Sequence, residues 1–272
     1  MRSVTGTWKK KGVEVPFWEK EWMGIPFTSL EIELSNVELP VSDFYSIFYS
    51  LLKKKYQSYL ELPQNWRKSK TDVSNEIGVL IPKNSEVLSF GCGIGFVESV
   101  LAVSRPDLKI TCYDPMETAK SWAVAEFKNV DFDWLFGNID NHRVRQFEVI
   151  YLCQVLYAVE FEEGVLMLEK LASYLKKGGI LILINFSALS HENGDELVKM
   201  FSWESIRNLS RLGRQVMKKI FRFSLSRNGQ FWGWHRDNQR YFMMLEQAGL
   251  EIQKSFPSAK QSFIVAKQRE TG

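Results

Sequence analysis

Hydrophobic and polar residues along residues 76–268 form alternating blocks that predict strands and helices in turn. Short apolar blocks bounded by polar residues are typical of buried strands, and longer blocks with apolar residues at helical spacing predict the helices between them. The predicted strands are Glu86–Phe90, Leu108–Tyr113, Val130–Phe136, Phe147–Cys153, Ile180–Phe186, Leu250–Ser255 and Gln261–Ala266. We therefore expect an α/β fold with a mostly parallel sheet and helices on both faces.

The first 72 residues follow a different pattern. Residues 1–41 are aromatic and interrupted by glycine and proline, which predicts an extended arm whose aromatic side chains pack on the main body. Ser42 is a plausible N-cap for a helix whose apolar stripe we interpret as core packing. Residues 63–72 predict a polar link, and a short helix follows over Val73–Leu80. We therefore predict an N-terminal arm and helix over 1–72 and a main domain over 73–272.

The strongest chemical signal lies in residues 86–115. A strand leads into Gly91, Gly93 and Gly95, a helix follows, and a second strand ends at Asp114. Glycine tolerates positive φ and lets the backbone approach a ligand, while a helix N-terminus offers free N–H groups to an anionic group. A carboxylate at the tip of the neighbouring strand can accept hydrogen bonds from both hydroxyls of a ribose. The segment therefore predicts a nucleotide-binding turn.

The glycine spacing is G-x-G-x-G, with Ser89 two positions before the first glycine, and not the G-x-G-x-x-G of dinucleotide-binding proteins. It resembles motif I, (D/E)-x-G-x-G-x-G, of the class I, Rossmann-like S-adenosylmethionine-dependent methyltransferases. The resemblance implies a seven-stranded sheet, S-adenosylmethionine as cofactor, the turn around its methionine part, and Asp114 on its ribose. It departs at Ser89, where the family carries an acid that orients the cofactor's amino group.

Further cofactor contacts follow only from this resemblance. Asn138 and Ile139 lie after the third strand, where the family's polar side chain meets the adenine amino group. Gln154 ends the fourth strand, where the family has Asp or Asn at the methyl-transfer centre. The complete predicted cofactor set is Ser89, Gly91, Cys92, Gly93, Gly95, Asp114, Pro115, Asn138, Ile139 and Gln154.

A long segment, residues 187–237, separates the fifth strand from the last helix, and we expect it to form an inserted lid or substrate-binding region. From Lys199 to Arg240 it carries ten Lys or Arg against two acids, interleaved with apolar residues at helical spacing. Such a basic amphipathic helix can lie on an anionic membrane, bind an anionic substrate or RNA, or pack as a lid with a solvated basic face. These alternatives stay open, with an acidic or lipid-linked glycan favoured over nucleic acid.

Composition excludes several classes of protein. The chain has 272 residues and a net charge of +3, too small by itself to indicate nucleic-acid binding. No apolar run approaches the roughly 18 residues that cross a bilayer, and no signal peptide is evident. The three cysteines and three histidines show no metal-ligand spacing, so we expect reduced thiols, no metal, and a cytoplasmic protein, with peripheral membrane contact through 199–236 as an alternative.

The predicted activity is methyl transfer to a small molecule or glycan, through O-methylation of an acidic or lipid-linked acceptor. An RNA methyltransferase and an inactive methyltransferase-like binding scaffold are the alternatives. A hydroxyl acceptor needs a base near its proton, and His235 in the aromatic stretch 231–236 is the first candidate. Arg236 is predicted to pair with a carboxylate or phosphate of the acceptor.

Overall fold

The computed structural model describes residues 12–26, 41–117, 119, 122, 133–136, 139, 145–186 and 230–269. The described strands are β1 (Glu14–Glu19), β2 (Glu21–Trp22), β3 (Ile25–Pro26), β4 (Glu86–Phe90), β5 (Lys109–Asp114), β6 (Asp133–Phe136), β7 (Phe147–Cys153), β8 (Leu175–Phe186), β9 (Gln230–Arg236), β10 (Leu250–Ser258) and β11 (Gln261–Gln268). The described helices are α1 (Val41–Lys55), α2 (Gln64–Leu80), α3 (Phe96–Ser104), α4 (Phe161–Ser173) and α5 (Asn238–Gln247).

The central sheet has the strand order β10-β11-β8-β7-β4-β5-β6. The strands from β8 to β6 are parallel, and β11 and β10 are added antiparallel at one edge. Because parallel strands end at the same edge, the carboxyl ends of β4, β5 and β7 come together, as an open α/β sheet requires for a ligand site. The predicted α/β fold with a mostly parallel sheet is therefore confirmed.

The continuous apolar strands are buried on both faces because helices cover each side. On β8, Leu181 and Leu183 face a cluster that includes α4 and α5, whereas Ile182 and Ile184 face a cluster that includes α2 and α3. All four side chains are fully buried. Burial of each such aliphatic side chain contributes roughly 2 kcal/mol, so this two-sided core fixes the strands whose carboxyl ends form the site.

Two regions lie outside this sheet or differ from the sequence-based expectation. Strand β1 pairs antiparallel with β9 in a separate two-stranded sheet, so the N-terminal arm packs as a strand. The predicted polar link of 63–72 is wrong, because residues 64–72 form the first half of α2 and the helix runs through the predicted boundary after residue 72. Residues 187–229 of the predicted insertion lie outside the described residues.

Helix α1 lies against the carboxyl edge of the sheet. Its residues Phe48, Tyr49 and Leu52 are buried in a cluster with Ile94 and Phe96, which follow β4. The helix therefore covers the turn that the sequence marks as a ligand site. No helix within the described residues is long and apolar enough to cross a membrane.

Candidate active site

The glycine turn after β4 forms a backbone cradle. Gly91, Gly93 and Gly95 have φ values of 73°, 56° and 77°, which place all three in the left-handed region. The amides of Gly91 and Cys92 donate to the carbonyl of Tyr113 at 2.7 and 3.0 Å, which ties the turn to the end of β5. A side chain at Gly93 would place its Cβ 3.0 Å from the Tyr49 hydroxyl. The turn therefore needs glycine both for its conformation and for the space above it.

Asp114 ends β5 directly beside this cradle. Its carboxylate accepts from the amide of Gly93 at 2.8 Å and from the amide of Met116 at 2.9 Å. The residue is only 5% exposed. Burial raises the pKa of Asp114 to about 6, and the two amide hydrogen bonds oppose that rise. Each carboxylate oxygen keeps a further lone pair, so the group can accept from two ligand hydroxyls.

A second buried acid, Glu98, lies in the first turn of α3 under the cradle. Its Oε1 accepts from the Ser89 hydroxyl at 2.6 Å and from the Tyr151 hydroxyl at 2.8 Å. Its Oε2 is buried and has no hydrogen-bond partner among the described residues. Burial raises the pKa of Glu98. Sequence reasoning missed this residue, although Glu98 is the one charged residue in the mostly apolar helix FVESVLAVS.

The remaining predicted cofactor residues fall into three groups. Cys92 is part of the cradle, and burial raises the pKa of its thiol. Pro115 is exposed directly after Asp114, and Ile139 is buried beside Phe90 and Tyr113 in the core cluster. Asn138 lies outside the described residues.

Gln154 forms hydrogen bonds to two other elements of the fold, and its predicted contact with the cofactor stays a prediction. It has a positive φ of 57° at the end of β7, a conformation that costs free energy in a residue with a side chain. Its Oε1 accepts from Lys70, and its Nε2 donates to the Oε1 of Gln261 at 3.0 Å. The amide therefore connects β7 to α2 and β11.

An aromatic cluster covers the site from the side of α1. The hydroxyls of Tyr45 and Tyr157 are hydrogen-bonded, and Trp232 stacks on Tyr157 with ring centroids 6.3 Å apart. Trp22 contacts Trp232 edge-on at 5.1 Å. Burial raises the pKa of Tyr157 to about 12 and that of Tyr45 well above its usual value, so both remain neutral hydrogen-bonding groups. Only the helical spacing of α1 could have indicated Tyr45 in advance.

The two predicted catalytic residues lie in different surroundings, His235 against an aromatic ring and Arg236 in a buried ion pair. The ring of His235 stacks on Phe17 at 3.9 Å, and Phe17 in turn lies 6.1 Å from Tyr157, so His235 joins the outer part of the aromatic cluster. The side chain of Arg236 is 0% exposed and forms an ion pair with Glu14.

Arg236 also donates to the backbone carbonyls of Leu156 and Val159, which follow β7. Each of the three guanidinium nitrogens donates to a group of the protein's own chain, so the side chain is committed to the fold. The prediction that Arg236 binds an acceptor anion is therefore corrected: Arg236 joins β1 and β9 to the end of β7.

These residues fit the cofactor that the resemblance implies. The glycines bring bare backbone to the turn, Asp114 offers a buried carboxylate, and Glu98 offers a buried oxygen without a partner among the described residues. A nucleoside with an amino-acid tail brings two hydroxyls and an ammonium, which are the donors that these acceptors require. No three His, Cys, Asp or Glu side chains in the described part of the chain lie close enough to share a metal ion.

Comparison with known proteins identifies solved structures of similar fold. The fold is similar to that of NcsB1, an O-methyltransferase from neocarzinostatin biosynthesis solved with S-adenosyl-L-homocysteine and 1,4-dihydroxy-2-naphthoic acid, with a TM-score of 0.54, 17% identity, and coverage of 84% of this chain and 57% of that one. Human N-acetylserotonin methyltransferase, solved with S-adenosylmethionine, gives a TM-score of 0.52 and 17% identity over 84% of this chain and 56% of that one. The mitomycin 7-O-methyltransferase MmcR gives a TM-score of 0.54 and 13% identity, with coverage of 84% of this chain and 57% of that one.

The chain therefore spans a little more than half the length of these neighbours, and the likeness establishes the fold. No curated protein sequence matches the chain. The family model of the methyltransferase domain matches residues 59–254, which include β4 to β8 and the whole glycine cradle. The chain belongs to the methyltransferase domain family.

Proposed function

We propose that this protein is an S-adenosylmethionine-dependent O-methyltransferase that acts on a small molecule. The observation that carries the proposal is the glycine cradle closed on one side by the buried carboxylate of Asp114. When bound, S-adenosylmethionine supplies a methyl group activated on a sulfonium. The protein's own task is then to hold the cofactor, align an acceptor and exclude water.

Each part of the cradle has a role in holding the cofactor. Asp114 accepts the ribose hydroxyls, and its burial makes these hydrogen bonds stronger than they would be in water. The backbone at Gly91, Gly93 and Gly95 approaches the amino-acid tail without Cβ atoms at these three positions. Asn138 and Ile139 are proposed to meet the adenine, as the resemblance to the family implies.

The aromatic cluster supports a planar acceptor. Tyr45, Tyr157 and Trp232 supply aromatic ring faces and edges beside the cradle, and such surfaces stack on aromatic ligands. Two crystal structures of the neighbour NcsB1 contain hydroxynaphthoic acids, which combine an aromatic ring system, a hydroxyl and a carboxylate. We propose an acidic aromatic hydroxy compound as acceptor, and the excess of Lys and Arg in the sequence of 199–236 favours an anionic group on it.

The acceptor hydroxyl must lose its proton during methyl transfer. His235 is the proposed proton acceptor, since it lies in the aromatic cluster and imidazole titrates near neutral pH. Tyr45 and Tyr157 are unsuited to this role because burial holds their pKa values above the usual range. They can instead orient the acceptor by hydrogen bonds.

Calorimetry with S-adenosylhomocysteine tests the cofactor, and the absence of heat at millimolar concentration contradicts the proposal. A transfer assay with labelled S-adenosylmethionine then compares a hydroxynaphthoate, the matching naphthol without carboxylate, a lipid-linked glycan and RNA. Faster turnover of the hydroxynaphthoate than of the naphthol supports an acidic aromatic acceptor. Methylation of RNA or of the glycan instead would overturn this assignment of the acceptor. Asp114→Ala should abolish turnover and Asp72→Asn, on the exposed face of α2, should not. Binding without turnover of any acceptor indicates the inactive scaffold.

A further inference from the structure

The buried acid of the cofactor site has an unexpected position in this chain. At position 89, two residues before the glycines, the fingerprint calls for an acid, but the residue is serine. Glu98, nine residues later, accepts the hydrogen bond of that serine at 2.6 Å. Both residues are 1% exposed, so the pair lies under the cradle and away from bulk water.

We propose that Glu98 replaces the missing strand acid and acts through Ser89 as the positioning residue for the ammonium of S-adenosylmethionine. The inference rests on the proposed function, because it assigns a residue of the same cofactor site. Ser89 donates its only hydroxyl proton to Glu98, so the lone pairs of its oxygen are left as acceptors. The negative charge of Glu98 then strengthens the acceptor that the ammonium meets.

Three features favour this role over a purely structural one. Oε2 of Glu98 is buried and without a hydrogen-bond partner among the described residues, a costly arrangement for a group that only holds a helix to a sheet. The first turn of α3 stabilises a negative charge at this position through the helix dipole. Lys70, a cation whose charge acts on Glu98, forms its hydrogen bond with Gln154 and not with Glu98. An ammonium held at Ser89 would bring a positive charge close to this buried carboxylate and offset its charge.

The test compares two ligands in the full-length protein by calorimetry. S-adenosylhomocysteine carries the ammonium, whereas methylthioadenosine shares its nucleoside but lacks the amino-acid tail. Glu98→Gln keeps an oxygen for Ser89 and Tyr151 but removes the charge. We expect Glu98→Gln to weaken the binding of S-adenosylhomocysteine by about tenfold to a hundredfold, and the binding of methylthioadenosine by less than about twofold.

Two further variants make the result decisive. Ser89→Asp combined with Glu98→Gln returns the acid to the strand and should recover most of the lost affinity. Ser89→Ala keeps Glu98 with Tyr151 and should show the same selective loss, so it serves if Glu98→Gln folds poorly. Glu148→Gln makes the same chemical change near the opposite end of β7 and should leave both affinities unchanged.

The outcomes separate this inference from the proposed function. If the wild-type protein binds neither ligand, the proposed function fails. If it binds both, and Glu98→Gln and Ser89→Ala leave the ratio of the two affinities unchanged, only the role of Glu98 is overturned. Equal weakening of both ligands assigns Glu98 to the fold of the cradle and likewise overturns the proposal.

Discussion

Replacing Asp114 by asparagine should stabilise the empty protein while it destroys the cofactor site. Burial raises the pKa of Asp114 to about 6 from an ordinary 3.8. At a pH between these two values, the carboxyl is protonated in the folded chain and ionised in the unfolded chain. Stability is therefore lost as the pH rises from 3.8 through 6. At about 1.4 kcal/mol for each pH unit, the ionised carboxylate costs the folded state about 3 kcal/mol at pH 8.

Asparagine removes this charge but keeps only one acceptor oxygen. One of the two amides, of Gly93 or Met116, therefore loses its partner, which costs about 1 kcal/mol. The net expectation is a gain of about 2 kcal/mol at pH 8, which falls below about 1 kcal/mol at pH 5 because the wild-type carboxyl is then mostly protonated in the folded state. Urea unfolding of both proteins without cofactor, at the two pH values, measures the difference.

A second substitution, for which the opposite change in stability is expected, serves as the control. Asp107 is held by Arg105 at 2.7 Å, and this ion pair lowers the pKa of Asp107, so Asp107→Asn should reduce stability at pH 8. The reasoning about Asp114 is refuted if Asp114→Asn is less stable than the wild type at pH 8, or if the difference does not change with pH. Loss of methylthioadenosine binding by Asp114→Asn, measured in parallel, confirms that the carboxylate belongs to the nucleoside site.

Three other variants test residues around the cradle. Arg236→Met should lower the free energy of unfolding by about 3 kcal/mol in urea, because it breaks the buried pair with Glu14, and a selective rise in acceptor KM with normal stability would contradict this. His235→Asn should lower kcat by about a hundredfold or more and remove the acidic limb of the pH profile, whereas a loss under threefold excludes it as the base. Gly93→Ala should weaken S-adenosylhomocysteine by at least about tenfold in calorimetry, since its φ is 56° and its Cβ would meet Tyr49 at 3.0 Å.

The parts of the structure that the sequence predicted are those that local patterns determine. Buried parallel strands are continuous apolar runs, and the glycine turn with Asp114 occupies 24 residues of contiguous chain from Gly91 to Asp114, so both could be identified without tertiary information. The first half of α2 was missed because KSKTD is polar and partly exposed, which resembles a link as much as a solvated helix face.

The predictions that failed or were absent depend on contacts between distant residues. From the sequence, Arg236 is predicted to pair with an anionic group of the acceptor, yet its partner Glu14 lies 222 positions earlier in the chain. The hydrogen bond between Tyr45 and Tyr157 joins residues 112 positions apart. No local pattern encodes such pairings, because they arise only when β9 and α1 pack on the end of β7.

Three charged residues are buried in the described part of the chain, and their partners separate structure from function. Arg236 has an acid and two carbonyls from its own chain, so its charge is satisfied by the fold itself. Asp114 and Glu98 accept only from amides and hydroxyls, and burial raises the pKa of each. A protein that holds two carboxylates at one turn without bonding a cation to either is less stable than it could be. That cost is explained if a ligand with hydroxyls and a positive charge completes the site.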